Sequence, residues 1–128
     1  MNALDGAIKK ALDLSGCDVE ANKVYLEFIK ANFIIPIEKD SSSEEPRVLF
    51  LQENNYTFLP VFTELTHFDN WALSIADSVQ LLKLSGVDLL KGIAEDVIVC
   101  LNIGTNIYKE FNPSELARMR SLVLKLFK

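Results

Sequence analysis

His67 is the only imidazole in the chain, so any relay through a serine or cysteine nucleophile has to run through it. It stands in Thr66-His67-Phe68-Asp69, where Thr66 with an acid three residues on has the form of a capping box and predicts a helix start. Nothing nearby in sequence orients the ring, and the nucleophile elbow G-x-S-x-G is absent. The expectation is a solvated histidine in the first turn of a helix. The two cysteines, Cys17 and Cys100, lie far apart and form no C-x-x-C pair. Structural zinc draws four ligands from short paired spacings, so no metal and no other cofactor is expected. Cys100 sits inside Val97-Ile98-Val99-Cys100-Leu101 and reads as a small buried hydrophobe. Cys17 falls in a predicted helix–helix connection, and with His67 it makes the one cysteine-dependent pairing worth testing.

Carboxylates offer the other route to acid–base work. Glu44-Glu45 and Glu95-Asp96 are adjacent pairs, but both fall in polar loops or turns. A perturbed carboxyl needs apolar surroundings or a crowding partner, which such turns do not supply. Asp88, flanked by Val87, Leu89 and Leu90, reads as a helix-start cap. Gly104 in Asn102-Ile103-Gly104-Thr105-Asn106 matches neither phosphate-loop pattern and precedes a strand, so a hairpin turn is expected. Phe62 and Trp71 read as core aromatics before interface anchors, because of the area they bury. No catalytic residue is assigned.

The elements that would position these groups follow from hydrophobic period. Leu4, Ile8, Ala11 and Leu12 predict a first amphipathic helix, ended at Ser15-Gly16. Asp18 then caps a second helix, with Ala21, Val24, Tyr25, Phe28 and Ile29 as its stripe, giving an αα-hairpin. Phe33 to Ile37 is strand-like but holds Pro36, which assigns it to a sheet edge or a strand start. Lys39 to Pro46 is a polar loop tip. Arg47–Gln52 and Tyr56–Leu59 predict strands joined at Glu53-Asn54-Asn55, and three short-connected strands in succession predict a meander. Val79–Leu84 is a strand apolar on both faces, Val87–Ile93 a short helix, and Val97–Asn102 a strand covered on both faces. Ile107–Phe111 follows as a further strand. In the last helix Asn112 caps, Pro113 takes the first helical position and Glu115 completes a capping box. Phe111 and Leu116 are placed for a hydrophobic staple, and Leu116, Met119, Val123, Leu126 and Phe127 line one face.

The chain has 128 residues, with 13 Lys+Arg against 18 Asp+Glu and a net charge of −5. One domain over 1–128 is expected, with 1–17 as an N-terminal helix and 18–128 as its core. Nucleic-acid binding is excluded as an expectation, because phosphate neutralisation needs a cationic surplus. The basic residues after Asn112, Arg118 and Lys125 among them, read as a solvated helix face. No secretory signal is evident and no apolar run approaches the ~20 residues of a membrane span. A cytoplasmic protein that touches no membrane is expected.

Leu59-Pro60-Val61-Phe62-Thr63 followed by Trp71, Gly86-Val87-Asp88-Leu89-Leu90, Leu101-Asn102-Ile103-Gly104-Thr105 and Phe111-Asn112-Pro113-Ser114-Glu115-Leu116 occur in that order. Together they resemble the SseB-like N-terminal domain family, named for an enhanced serine sensitivity protein, over about Asp18 to Leu126. Thr63-Glu64-Leu65-Thr66-His67 departs from the family pattern by being less acidic. The resemblance implies a mixed α/β sandwich of α+β class, a bacterial protein, and matched positions that are architectural: a turn glycine, a capping asparagine, core aromatics. With the residue reading it gives about five strands in a largely antiparallel sheet, flanked by helices. The function it implies is a non-enzymatic regulator or inhibitor that binds another protein, a ubiquitin-modifying effector being one such target. The acidic residues Asp40, Glu44, Glu45 and Glu53 are the expected partner-binding positions. A two-fold homodimer, a Cys17/His67 enzyme and a small-ligand sensor remain as alternatives.

Overall fold

Leu4 and Ile8, one turn apart, are both buried on helix α1 (Ala3–Asp13), as their spacing requires. Helix α2 (Asp18–Lys30) packs against α1 and buries Val24, Tyr25, Phe28 and Ile29, so the chain does open with an αα-hairpin. The computed structural model describes residues 2–13, 18–39, 47–73, 75–105 and 107–126. The Ser15-Gly16 turn, Cys17, the expected partner-binding residues Asp40, Glu44 and Glu45, and Phe127 lie outside them.

Six strands follow, one more than expected. They are β1 (Asn32–Glu38), β2 (Leu51–Glu53), β3 (Tyr56–Val61), β4 (Val79–Ser85), β5 (Val97–Leu101) and β6 (Lys109–Phe111). The order β2-β3-β5-β6 makes one sheet, with β3 and β5 parallel and its other pairs antiparallel. β1 and β4 form an antiparallel ribbon in full register, from Asn32 opposite Ser85 to Glu38 opposite Val79. The expected meander is therefore wrong: the principal partner of β1 is a strand some forty residues later. Pro36 supplies the reason. The N–H groups of Ile34 and Glu38 bond to Phe62 and Arg47, so Pro36, between them, turns its donorless nitrogen to that same side. Pairing there is reduced to two isolated bridges, Ile34 with Phe62 and Ile37 with Val48. The unbroken ladder runs on the other side, along β4.

Two further expectations are corrected. Arg47–Gln52 is not one strand but the Val48 bridge and then a three-residue β2. β4 lies at the outer margin of the ribbon, half-buried to exposed along its length, with Leu81 open to solvent, and is not covered on both faces. The tight turn holds: Asn54 and Asn55 both have positive φ, 52° and 70°, which suits the two-residue hairpin between β2 and β3. β5 is buried nearly throughout, as its uninterrupted apolar run predicts.

One face of the assembly carries the main core. Phe33, Ile35, Leu59, Val61, Val99, Leu101 and Phe111 meet Phe28 and the apolar stripes of the helices, with the Phe28 ring 4.6 Å from Phe33 and 5.0 Å from Phe111. Helix α4 (Gly86–Gly92) starts so close to α2 that a Cβ on Gly86 would stand 2.0 Å from the Phe28 carbonyl oxygen. Its cap is Ser85, whose side chain accepts from the Asp88 N–H; Asp88 is capped and does not itself cap. Helix α5 (Pro113–Leu126) starts as expected. The Asn112 side chain accepts from Glu115 N–H at 2.9 Å, and Glu115 accepts from Asn112 N–H at 3.2 Å. Phe111 and Leu116 are buried at the same helix start, and Met119 and Val123 continue the apolar face.

On the opposite face α3 (Leu65–Trp71) covers the end of the sheet where β3 leaves it, through Phe62, Phe68, Ala72 and Trp71. The Thr66/Asp69 capping box is not formed. The helix begins at Leu65, with Glu64 at its N-cap and no side-chain cap. Packing of Phe68 edge-on to Phe62, 5.6 Å between centroids, fixes that start against the local signal. Among the described residues, no helix is long and apolar enough to cross a membrane.

Candidate functional site

β3 and β5 run side by side in the same direction, so their carboxyl ends open at one place. Ligand sites of open α/β sheets favour such ends. Here Thr63 follows β3 and Asn102 follows β5. Asn102 has φ 56° and is fully buried, and its N–H donates to the Val61 carbonyl at 2.9 Å. The left-handed turn is closed by Thr105, whose hydroxyl donates to the Asn102 carbonyl at 2.7 Å. Thus held, the Asn102 amide oxygen accepts from Thr63 N–H at 3.1 Å. Its NH2 group donates to the Thr63 hydroxyl at 3.1 Å and to Asp5 Oδ1 at 2.9 Å.

Asp5 arrives from the other end of the chain. It sits in the first turn of α1, is 0% exposed, and inserts its carboxylate between the two strand ends. The Thr63 hydroxyl donates to Oδ1 at 2.8 Å. Asn2 caps α1, its Oδ1 accepting from Asp5 N–H at 2.8 Å, while its NH2 group bridges Asp5 Oδ2 at 3.0 Å and Glu64 Oε2 at 2.9 Å. His67 Nε2 is 3.1 Å from Asp5 Oδ2 and 3.8 Å from Glu64 Oε2. The expected solvated histidine is corrected: its side chain keeps only 20% exposure because α3 turns it inward onto Asp5. Asp5, Glu64 and His67 are also the residues, among those described, whose donor atoms are grouped closely enough to hold a metal ion.

The sequence reading missed Asp5, Asn2, Thr63 and Asn102. One signal was present: Asp5 falls within the apolar stripe of Leu4 and Ile8, where a carboxylate needs a reason. The chemistry of the cluster is that of a latch. The Thr63 hydroxyl gives its proton to Asp5 Oδ1, while His67 meets the other carboxylate oxygen, so the imidazole is not placed as a base between hydroxyl and acid.

The remaining candidates are dispersed. Cys100 is 2% exposed, and burial pushes its thiol up, away from the thiolate a nucleophile needs. Its neighbour is the Tyr108 hydroxyl at 3.7 Å; burial, with hydrogen bonding to Glu110, holds that phenol well above its ordinary range. Glu95 and Asp96 form an exposed turn and Asp88 is exposed. Gly104, with φ 87°, is a turn glycine beside the Trp71 ring.

Glu53 is exposed on β2, directly opposite Tyr56. The register sets Glu53, Tyr56, Phe58 and Leu51 on one face with Ile98 of β5. This is the face that α3 covers only at its far end, so at the amino ends of β3 and β5 the sheet lies open. Tyr56 is 58% exposed there, with its ring 6.4 Å from Phe58. Tyr56, Ile98 and Pro113 help line an open depression of about 460 Å³ with Glu95 and Asp96 at its margin. Glu110 lies exposed on the same face, opposite Cys100.

A family model described as the SseB protein N-terminal domain matches residues 6–118, which begins earlier and ends sooner than the span anticipated from the motifs. Asn2 and Asp5 precede the matched span, whereas Thr63, His67 and Asn102 fall within it. No curated protein and no solved structure gives a significant match.

Proposed function

The chain belongs to the SseB N-terminal domain family, and from that premise we propose that it is a non-enzymatic interaction module that regulates or inhibits another bacterial protein in the cytoplasm. The observation that supports this is the bare half of the sheet. An outward sheet face is ordinarily polar, yet Leu51, Tyr56, Phe58 and Ile98 stand on this one. An apolar patch rimmed by polar groups is the usual form of a protein-binding site. Its rim is acidic, with Glu53, Glu95, Asp96 and Glu110 exposed. Two copies meeting through this patch would oppose like charges, so a partner with an apolar centre and a basic rim fits better than a homodimer. Such a pair associates faster at low salt.

Affinity capture from the native host, run with wild type, Tyr56→Lys and Leu124→Lys, tests the reading. Leu124 is exposed on α5 and serves as the control. The expected result is a protein recovered by wild type and by the Leu124 variant, weakened by salt, and lost with Tyr56→Lys. Equal recovery by wild type and both variants refutes the assignment of the surface. A narrower version, in which the partner is a ubiquitin-modifying effector, is checked by including such an effector as the reciprocal bait.

A further inference from the structure

We propose that Asp5 Oδ2, Glu64 Oε2 and His67 Nε2 form a binding site for a divalent first-row transition ion of the zinc class, at the junction of α1 and α3. The three donor atoms lie within 4.8 Å of one another, with His67 Nε2 at 3.1 Å from Asp5 and 3.8 Å from Glu64. An ion with bonds of roughly 2.0–2.2 Å to oxygen and 2.0–2.1 Å to nitrogen holds tetrahedral ligands about 3.3 Å apart. The separations present therefore bracket what such an ion requires, and side-chain shifts of under about an ångström admit it.

Charge points the same way, independently of distance. Two carboxylates face one imidazole, and among the described residues His67 is the only ion-pair partner of either. Even a protonated ring leaves one negative charge in excess, shared between the fully buried Asp5, which neutral donors hold, and the half-exposed Glu64. A divalent ion removes that excess.

The outer shell is already built. Asp5 Oδ1 is held by Thr63 and Asn102, while Oδ2 accepts from Asn2 at 3.0 Å and stands 3.0 Å from the Thr63 hydroxyl and 3.1 Å from His67, the contact that an ion would replace. Asn2 steadies both carboxylates from one NH2 group. Neutral donors fixing the second oxygen or second lone pair of a ligating carboxylate are what tuned metal sites use. On binding, His67 Nε2 gives up any proton it shares with Asp5 to solvent and presents its lone pair to the ion. Imidazole in the set favours zinc over magnesium or calcium. The fourth position is left to water.

The test is calorimetric titration of the tag-free, chelator-stripped full chain with ZnCl2, against MgCl2 as the hard-ion control, with Co2+ absorption reporting the ligand set. One Zn2+ per chain is expected, bound at least about tenfold more tightly than Mg2+, and weakened by about tenfold or more in Glu64→Gln and in His67→Gln. Glu53→Gln, on the opposite acidic patch, leaves the affinity unchanged. Glu64 is 45% exposed, so its variant keeps the fold and isolates the ligand role. Absence of Zn2+ binding overturns the proposal. So does binding that survives both ligand substitutions, or a Co2+ spectrum dominated by thiolate charge transfer.

Discussion

Replacing Asp5 by Asn changes the shape of one buried side chain hardly at all and inverts the chemistry of one of its two terminal atoms. If the new NH2 stands in the place of Oδ1, it confronts the Thr63 hydroxyl and the Asn102 NH2, now 2.8 and 2.9 Å from that atom. If it stands in the place of Oδ2, it confronts the Asn2 NH2 at 3.0 Å, beside the Thr63 hydroxyl at 3.0 Å and His67 Nε2 at 3.1 Å. Either way an amide donor, of Asn102 or of Asn2, is left facing another donor, and the remaining bonds lose their charged acceptor, a bond to which is worth about 1.5–3 kcal/mol. Part of that loss is offset because a neutral amide is cheaper to bury than a carboxylate. The net cost should fall at about 2–4 kcal/mol. For a chain of this length each kcal/mol lowers the melting temperature by roughly 4 °C, so a drop of about 8–16 °C is expected. Trp71 is the only tryptophan and sits against Phe62 beside the latch, so its fluorescence in urea and on heating reads the change. Thr63→Val made in both backgrounds completes a double-mutant cycle, which should show coupling of about 1 kcal/mol or more. An Asp5→Asn protein within about 0.5 kcal/mol of wild type, or additive effects in the cycle, would refute the claim that this carboxylate ties the first helix to the strand ends.

Gly86→Ala should cost more than any ordinary helix-start substitution, since its Cβ would stand 2.0 Å from backbone oxygen at Phe28 and 2.9 Å from that at Ile29. Backbone cannot swing aside as a side chain can, so a loss of at least about 3 kcal/mol, seen in urea unfolding or as insoluble protein, is expected. Stability should also fall in alkali through Tyr25, whose phenol is pushed up to about 12 by burial and by its hydrogen bond to Glu115. The unfolded chain ionises this group near 10 and the folded chain only near 12, so its contribution is intact below pH 10 and lost as pH rises to 12. Tyr25→Phe should flatten that part of the stability–pH curve, measured by urea unfolding at a series of alkaline pH values.

What could be read in the sequence was what local chemistry decides. The capping pair Asn112/Glu115, the Asn54-Asn55 hairpin, the stripes of α1 and α2 and the buried run of β5 all state their conformation within a few residues. What could not be read was pairing across distance. β1 turns to β4 because Pro36 disables its other side, and the proline announces the handicap without naming the partner. Helix α3 ignores a well-formed capping box because Phe68 has to meet Phe62. The latch is the extreme case: Asp5 lies 62 residues from His67 and 97 from Asn102, so neither polar residue carries any local sign of the other. The outward aromatics of β3 were visible as strand residues, but which side of the sheet the helices would leave open followed only from the assembled layers.

The 97-residue reach of that latch has a consequence for synthesis. Asp5 leaves the ribosome within its helix, but the amide that receives it emerges only 97 residues later. Until then an apolar helix face and a carboxylate meant for the interior travel together in water, with no site to settle in. Contacts of such separation are slow to form. Newborn chains therefore pass through a period in which the amino-terminal hairpin is open to chaperones and to other nascent copies, and arrival of the fifth strand ends it.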